Sequence, residues 1–341
     1  MVYIYLFLFI IVLLLLYMRF EAGRVKLERV KFSKNYNGLK IIQLSDIHMK
    51  YLRVAEEKTK SIIEAEKPDI IIITGDYIDT PHQIEDFLKF LDKIIDNIPT
   101  YLCMGNHDHK AFKNTTILEP NEKLKHLKAA AKLKAQYPKN HKYKNGCKTE
   151  GGCDINNNFN DIEDIKNNFN KNNLYTNISN ADLEALQVNS MEKFIRVLES
   201  KKNVRVLNND AVCVVKNSKK YNIIGIDDLN TGNPCIEKAL SACDKSADIN
   251  IAFSHNPDII FKIPKGSVDY LFCGHFHGGQ IWMPFNLEYT ILRKEKLCKM
   301  GISKGLHKLN GIILYINRGL GNVCFPLRFL SRPEITVFYM P

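Results

Sequence analysis

With 341 residues, 45% hydrophobic and 25% charged, the chain can bury the core of one large or two ordinary domains, which excludes disorder except locally. Its formal charge of +11 sits in two blocks: residues 19–40 and 110–182 carry +5 each, leaving about +1 for the rest. A nucleic-acid partner, which needs cations spread along one face, is not expected.

The first stretch, MVYIYLFLFIIVLLLLYM, has eighteen residues without a charge, long enough to cross a bilayer and too long for a signal-peptide core. Residues 1–20 read as an uncleaved transmembrane anchor; the competing reading is a secretory signal cut near Ala22 or Gly23. Arg19, Arg24, Lys26, Arg29 and Lys31 follow. By the positive-inside rule they predict a single-pass protein whose body lies on the cytoplasmic face, with 21–38 as a basic juxtamembrane segment beside anionic headgroups. Nine cysteines, an odd number without framework spacing, fit the same reducing compartment.

From residue 39, short apolar runs alternate with helical patterns. LKIIQLSD (39–46), DIIIITGD (69–76) and TYLCMGN (100–106) read as buried strands, separated by helices over 52–67 and 83–97. That order predicts right-handed crossovers and a parallel sheet covered on both faces. Residues 110–182 break the pattern; rich in Lys and Asn, they read as a surface insertion. Within it, DINNNFNDIEDI has the look of an EF-hand loop, but Phe159 replaces the turn glycine and Ile165 the closing Glu. Cys147, Cys153 and His141 lack a fourth zinc ligand, and the sequons at Asn114 and Asn177 have no consequence in a cytoplasmic domain. A helix over 183–200 resumes the structure. Strands over 204–227, a helix over 234–243, and strands at 249–257, 268–279, 311–319 and 334–340 follow. Two facing sheets with helices outside accommodate both halves.

Five of these runs end in the same kind of residue: Asp46-Ile47-His48, Gly75-Asp76, Gly105-Asn106-His107-Asp108, His255-Asn256 and Gly274-His275-Phe276-His277. Singly, each is an ordinary turn, helix cap or buried histidine. Together they collect at the sheet edge where open α/β sheets place ligands. Two divalent cations ~3.5–4 Å apart need a bridging anion, and a strand-end carboxylate suits that role. Asp46, His48 and Asp76 would hold one ion and Asp76, Asn106 and His255 the other, with one ligand each from His275 and His277. Cys273 reads as the last buried residue of its strand rather than a ligand.

The ordered set D-x-H…G-D…G-N-H-D…H…G-H-x-H resembles the calcineurin-like metallophosphoesterase family over roughly residues 39–340, interrupted by the insertion. SDIH, GHFHGGQ and the tail INRGLG…PLRF…RPEI, behind an N-terminal anchor, resemble its membrane-anchored branch, which includes UDP-2,3-diacylglucosamine pyrophosphatase-like phosphoesterases. The resemblance implies a four-layer α/β/β/α sandwich of two mixed β-sheets, within the α/β and α+β classes. It implies two divalent metal ions, manganese first with iron or zinc as alternatives. Metal one falls on Asp46, His48, Asp76 and His277; metal two on Asp76, Asn106, His255 and His275. His107 faces the leaving group, with Asp108 orienting it. The implied reaction is in-line attack of a metal-bridging hydroxide on a phosphodiester or pyrophosphate, and the anchor points to a lipid-linked or headgroup substrate. The alternatives are a broad phosphodiesterase or nuclease on soluble substrates, and a membrane scaffold without activity. Arg318 is read as a phosphate contact or, equally, a structural salt bridge. Residues 285–310 are more basic than the family pattern, and both they and the insertion bear on substrate choice.

Overall fold

In the computed structural model, which describes residues 1–33, 36–113, 190–284, 287 and 293–341, the isoleucine-rich runs of the first half lie in the middle of one sheet. Strands β2 (Lys40–Leu44), β3 (Ile70–Thr74), β4 (Thr100–Cys103) and β5 (Val204–Val206) pair in parallel. On the other side of β2, β12 (Glu334–Tyr339) runs antiparallel to it and parallel to the edge strand β1 (Lys26–Lys31). The second sheet has a parallel centre of β7 (Lys219–Gly225), β8 (Ile249–Phe253), β9 (Tyr270–Cys273) and β11 (Ile312–Ile316). Antiparallel strands β6 (Asp210–Lys216) and β10 (Gly305–Leu309) close its two sides.

Both sheets are covered on both faces, which is why their central strands are apolar throughout rather than alternating. Ile41, Ile70 and Ile72 face the second sheet, among Tyr221, Ile223, Ile251, Phe253 and Phe272. Phe272 and Phe338 stack there with centroids 3.9 Å apart, one ring from each sheet. Ile42, Leu44, Ile71 and Ile73 point the other way, onto α2 (Glu56–Glu66), α3 (Ile84–Ile95) and α5 (Met191–Glu199), between which comes α4 (Asn106–Lys113). Ala252 and Leu271 on the outer face of the second sheet meet α6 (Ile236–Ser241) and α7 (Lys296–Lys299) through Ala239 and Leu297. The result is the expected α/β/β/α order.

Two differences from the sequence reading concern the flanks. Residues 26–31, expected in a juxtamembrane segment, are instead the edge strand β1. Its KLERVK sequence hides that role, since charged side chains are what protect an exposed edge from pairing with another chain. Residues 110–113, expected to begin the insertion, belong to α4. The rest of the insertion lies outside the described residues, with His141, Cys147, Cys153, both sequons and the DINNNFNDIEDI run, as do 183–189 of the helix expected over 183–200.

The N-terminal helix α1 (Val2–Gly23) has a mean hydropathy of 2.4 and is long and apolar enough to cross a membrane. Every residue from Met1 to Leu16 is exposed. Its last turn is different: the Met18 carbonyl accepts the Arg328 N–H at 3.1 Å, Glu21 Oε2 accepts the Leu330 N–H at 3.0 Å, and Ala22 is buried. The helix joins the domain without a free neck.

Candidate metal centre

Each of the five polar clusters follows directly on the C-terminal end of a parallel strand: β2, β3, β4, β8 and β9. The chain turns sharply there. Asp46, His48, Asp76, His275 and His277 all have left-handed backbone, with φ of 49°, 42°, 55°, 74° and 52°. Five non-glycine residues in that region mark strain held in place by the surrounding core, a pattern typical of functional sites. Two glycines allow the close approach: a Cβ on Gly105 would overlap Asp76, and one on Gly274 would overlap Ser45 and Asp46.

The turns bring the side chains into two groups. In one, His277 Nε2 lies 3.3 Å from Asp46 Oδ1, and the rings of His48 and His277 stack with centroids 5.2 Å apart. In the other, His255 Nε2 lies 3.0 Å from Asp76 Oδ2, 3.0 Å from Asn106 Oδ1 and 3.1 Å from His275 Nδ1. Asp76 connects them. Its Oδ1 accepts the His107 N–H at 2.7 Å, while Oδ2 faces His255 and lies 3.6 Å from His48 Nε2. Asp46, His48 and His277 form one set able to hold a metal ion, and Asp76, His255 and His275 another. Cys273 stands apart, buried at the end of β9 with its carbonyl accepting the Gln43 side-chain amide at 3.0 Å.

The donor set fits divalent cations. It is built of carboxylate, amide and imidazole without thiolate, which suits manganese, iron and zinc alike. His48 Nε2 is buried and has no hydrogen-bond partner. Burial, the neighbouring His48 and the Arg328 guanidinium hold the His277 imidazole well below its ordinary value, hence neutral as a ligand must be. Burial opposes the His255 imidazolium too, but Asp76 against Nε2 and Asp46 behind it push that group up to about 10. The same field favours a divalent cation in the proton's place. Second contacts orient the rings: Thr74 O lies 2.8 Å from His255 Nδ1, and Glu295 Oε1 lies 3.0 Å from His275 Nε2.

His107 is part-exposed at the rim, and its Nδ1 lies 2.7 Å from Asp79 Oδ1. Asp108, expected to orient His107, does something else. Its carboxylate accepts the backbone N–H groups of Gly105, Asp76, Tyr77 and Ile78 at 2.8–3.1 Å, locking two strand-end loops together. Burial and the charge of Asp76 push it up to about 7 despite those bonds. The carboxylate that meets His107 is Asp79, which the sequence reading missed and whose Oδ1 also lies 3.3 Å from His48 Nδ1. The GDYID run carried the signal, a second acid three residues after Asp76.

Arg318 is likewise not a phosphate contact. Its Nε donates to Glu334 and its Nη2 to Glu28 at 2.9 Å, so the salt-bridge alternative holds. Arg293 lines the cavity over the site, its Nη2 donating to the His275 carbonyl at 3.1 Å and its Nη1 3.6 Å from Glu295 Oε1. The basic excess of residues 285–310 was its only trace in the sequence. That cavity, about 310 Å³, is bounded by Asp76, Asn106, His107, His275, Lys110 and Arg293 among others.

A fold of this order, with these residues at these strand ends, defines a metallophosphoesterase. The chain belongs to the calcineurin-like phosphoesterase family, whose model matches residues 39–279. The family depends on a binuclear metal site and hydrolyses phosphoester bonds, and the chain is a hydrolase of that class. It is similar to the uncharacterized metallophosphoesterases YkoQ and YkuE of Bacillus subtilis, at 26% and 28% identity, over 87% and 89% of this chain and 82% and 79% of theirs. It is also similar to the UDP-2,3-diacylglucosamine pyrophosphatase LpxG of Chlamydia trachomatis, at 26% identity over 88% of this chain and 82% of that protein.

Proposed function

We propose that the chain hydrolyses a phosphodiester or pyrophosphate bond of a lipid-linked molecule, UDP-2,3-diacylglucosamine being the first to test, at the surface of a membrane crossed by α1. The observation that carries this reading is the convergence of seven oxygen and nitrogen donors under a cavity walled by Lys110 and Arg293. The similarity to the LpxG pyrophosphatase and the direct seating of α1 on the domain support the lipid part. The basic residues that follow α1 favour the cytoplasmic side for the domain.

Asp46, His48, Asp76 and His277 would hold one ion, and Asp76, Asn106, His255 and His275 the other, with manganese the first choice. Two such ions supply Lewis acidity toward the phosphoryl oxygens and an activated water at neutral pH. Asp76, whose Oδ2 lies 3.0 Å from His255 Nε2 and 3.6 Å from His48 Nε2, would contribute to both groups. Asp79 takes up His107 Nδ1, leaving Nε2 to give a proton to the departing oxygen. Arg293 and Lys110 bind the phosphate charge at the cavity wall.

The test uses the purified full chain with manganese, assayed side by side on UDP-2,3-diacylglucosamine in mixed micelles, bis-p-nitrophenyl phosphate and single-stranded DNA, with metal content measured on the same sample. A higher kcat/KM on the lipid-linked substrate is expected. Faster turnover of DNA overturns the lipid reading, and two bound ions with no turnover of any phosphoester overturns the catalytic one.

A further inference from the structure

We propose that Phe20, Trp282, Phe325 and Leu330 form a lipid-binding face around the base of α1, which seats the mouth of the cavity on the bilayer. The proposal rests on the reading that α1 crosses a membrane. A helix of 22 residues spans ~33 Å, close to the ~30 Å thickness of a hydrocarbon core, so its last turn lies at headgroup level. Whatever bonds directly to that turn lies at the same level.

The segment 325–332 does so. Besides the bonds from Arg328 to Met18 and from Leu330 to Glu21, the Tyr17 and Phe329 rings meet edge to face at 6.1 Å, and Arg332 donates to the Arg24 carbonyl at 3.0 Å. Residues 280–282 are bonded alongside: Phe329 N–H donates to Gln280 O at 3.0 Å and Trp282 N–H to Phe329 O at 2.9 Å. Four large apolar side chains on this ring of backbone face outward, at 59% exposure for Phe20, 52% for Leu330, 46% for Phe325 and 40% for Trp282. Leu330 is left-handed, with φ 54°, a conformation a branched residue adopts only under constraint, and here it leaves the side chain in solvent. The chain's single tryptophan is among them, the residue type most suited to the membrane–water boundary. Exposed Arg19 and Arg24 flank this end of α1, with the Arg24 guanidinium over the Phe20 ring at 5.3 Å. An apolar face with arginines at its α1 edge matches an anionic bilayer surface rather than water.

The face is tied to the site. Gln280 lies three residues after His277, and its side chain accepts the N–H of Val323 at 2.8 Å, a residue that lines the cavity. The Arg328 guanidinium is buried among carbonyls of Arg318, Gly319, Gly321 and Ser331 and lies 3.4 Å from His277 Nδ1, while its own backbone N–H holds Met18. The donor groups are therefore tied to the face through a continuous chain of hydrogen bonds.

The single tryptophan makes the test direct. The full metal-loaded chain is placed in vesicles of phosphatidylcholine and phosphatidylglycerol, with and without bromine on the acyl chains, and Trp282 emission is recorded. Most of the emission should be lost in brominated vesicles. The double variant Phe325→Asp, Leu330→Asn, whose second change suits the left-handed backbone, should regain it while hydrolysing bis-p-nitrophenyl phosphate at the parent rate. Trp282 equally open to acrylamide in vesicles and in detergent, with the chain retained after a carbonate wash, overturns the face and leaves the anchor standing. Shielding in detergent that grows with protein concentration, without bromine quenching, assigns the face to a second copy and also overturns it. Release by the carbonate wash overturns the anchor reading, and the face with it.

Discussion

In β3, Ile70 to Ile73 are fully buried in ordinary strand geometry; two residues past the strand's end, Asp76 is just as buried, but charged and left-handed. The same contrast repeats from β2 to Asp46 and from β9 to His275. Strand bodies gain from burying apolar surface on both faces, about 1.5–3 kcal/mol for each large side chain. Strand ends lose on every count: buried charge, unsatisfied imidazole and strained backbone. The ends are therefore tolerated because the bodies hold them, and the two regions should fail differently when changed.

The largest effect is expected at the carboxylate that links the donor groups. Asp76→Asn should abolish turnover and lower metal content while the chain stays folded by circular dichroism. Substantial activity in that variant would rule out a shared carboxylate. His107→Ala should lower kcat by ~10²–10⁴-fold with both ions retained in metal analysis, the signature of a proton donor outside the donor groups. Loss of metal there would move His107 into the first coordination sphere. In a strand body the outcome reverses. Phe272→Ala removes one of the two stacked rings between the sheets and should cost ~3–5 kcal/mol in chemical denaturation, with kcat/KM unchanged where the variant is folded.

The bodies were legible in the sequence because a strand covered on both faces has no choice but a continuous apolar run, and five such runs ended in Asp, Asn or His. What could not be read depends on partners distant in the chain. Arg318 is held by Glu28 and Glu334 only because β1 pairs with β12, and β1 itself is a charged edge strand without an apolar signal. Asp108 follows His107 in sequence, yet helix α4 turns its carboxylate onto backbone N–H groups of the β3 loop, contacts that need no particular residue type. Asp79 was hidden as an ordinary turn acid. Asp79 Oδ1 also lies 3.3 Å from Nδ1 of the ligand His48, so Asp79→Asn should lower kcat by ~10–100-fold and weaken metal retention as well. Asp108→Asn should instead lower the thermal midpoint, by loosening the two loops it joins; equal kcat effects from both would return Asp108 to the role of orienting His107.

The smallest predicted effect separates the ends from the bodies by pH alone. In the metal-free chain Asp76 holds the His255 imidazolium to about 10, whereas an unfolded histidine loses its proton near 6.5. Between those values the folded chain binds more protons than the unfolded one. The stability this group contributes is thus complete below 6.5 and is lost as pH rises toward 10. A bound ion takes the place of that proton, so below 10 binding must first displace it, and the competition weakens as pH rises. The increment in thermal midpoint on adding manganese should therefore grow from pH 7 to pH 9, and His255→Asn should flatten it. Tyrosines and cysteines buried in the strand bodies titrate in both forms and cancel in the difference. An increment that stays level or shrinks with pH would mean that the field of Asp76 does not act on the position the second ion occupies.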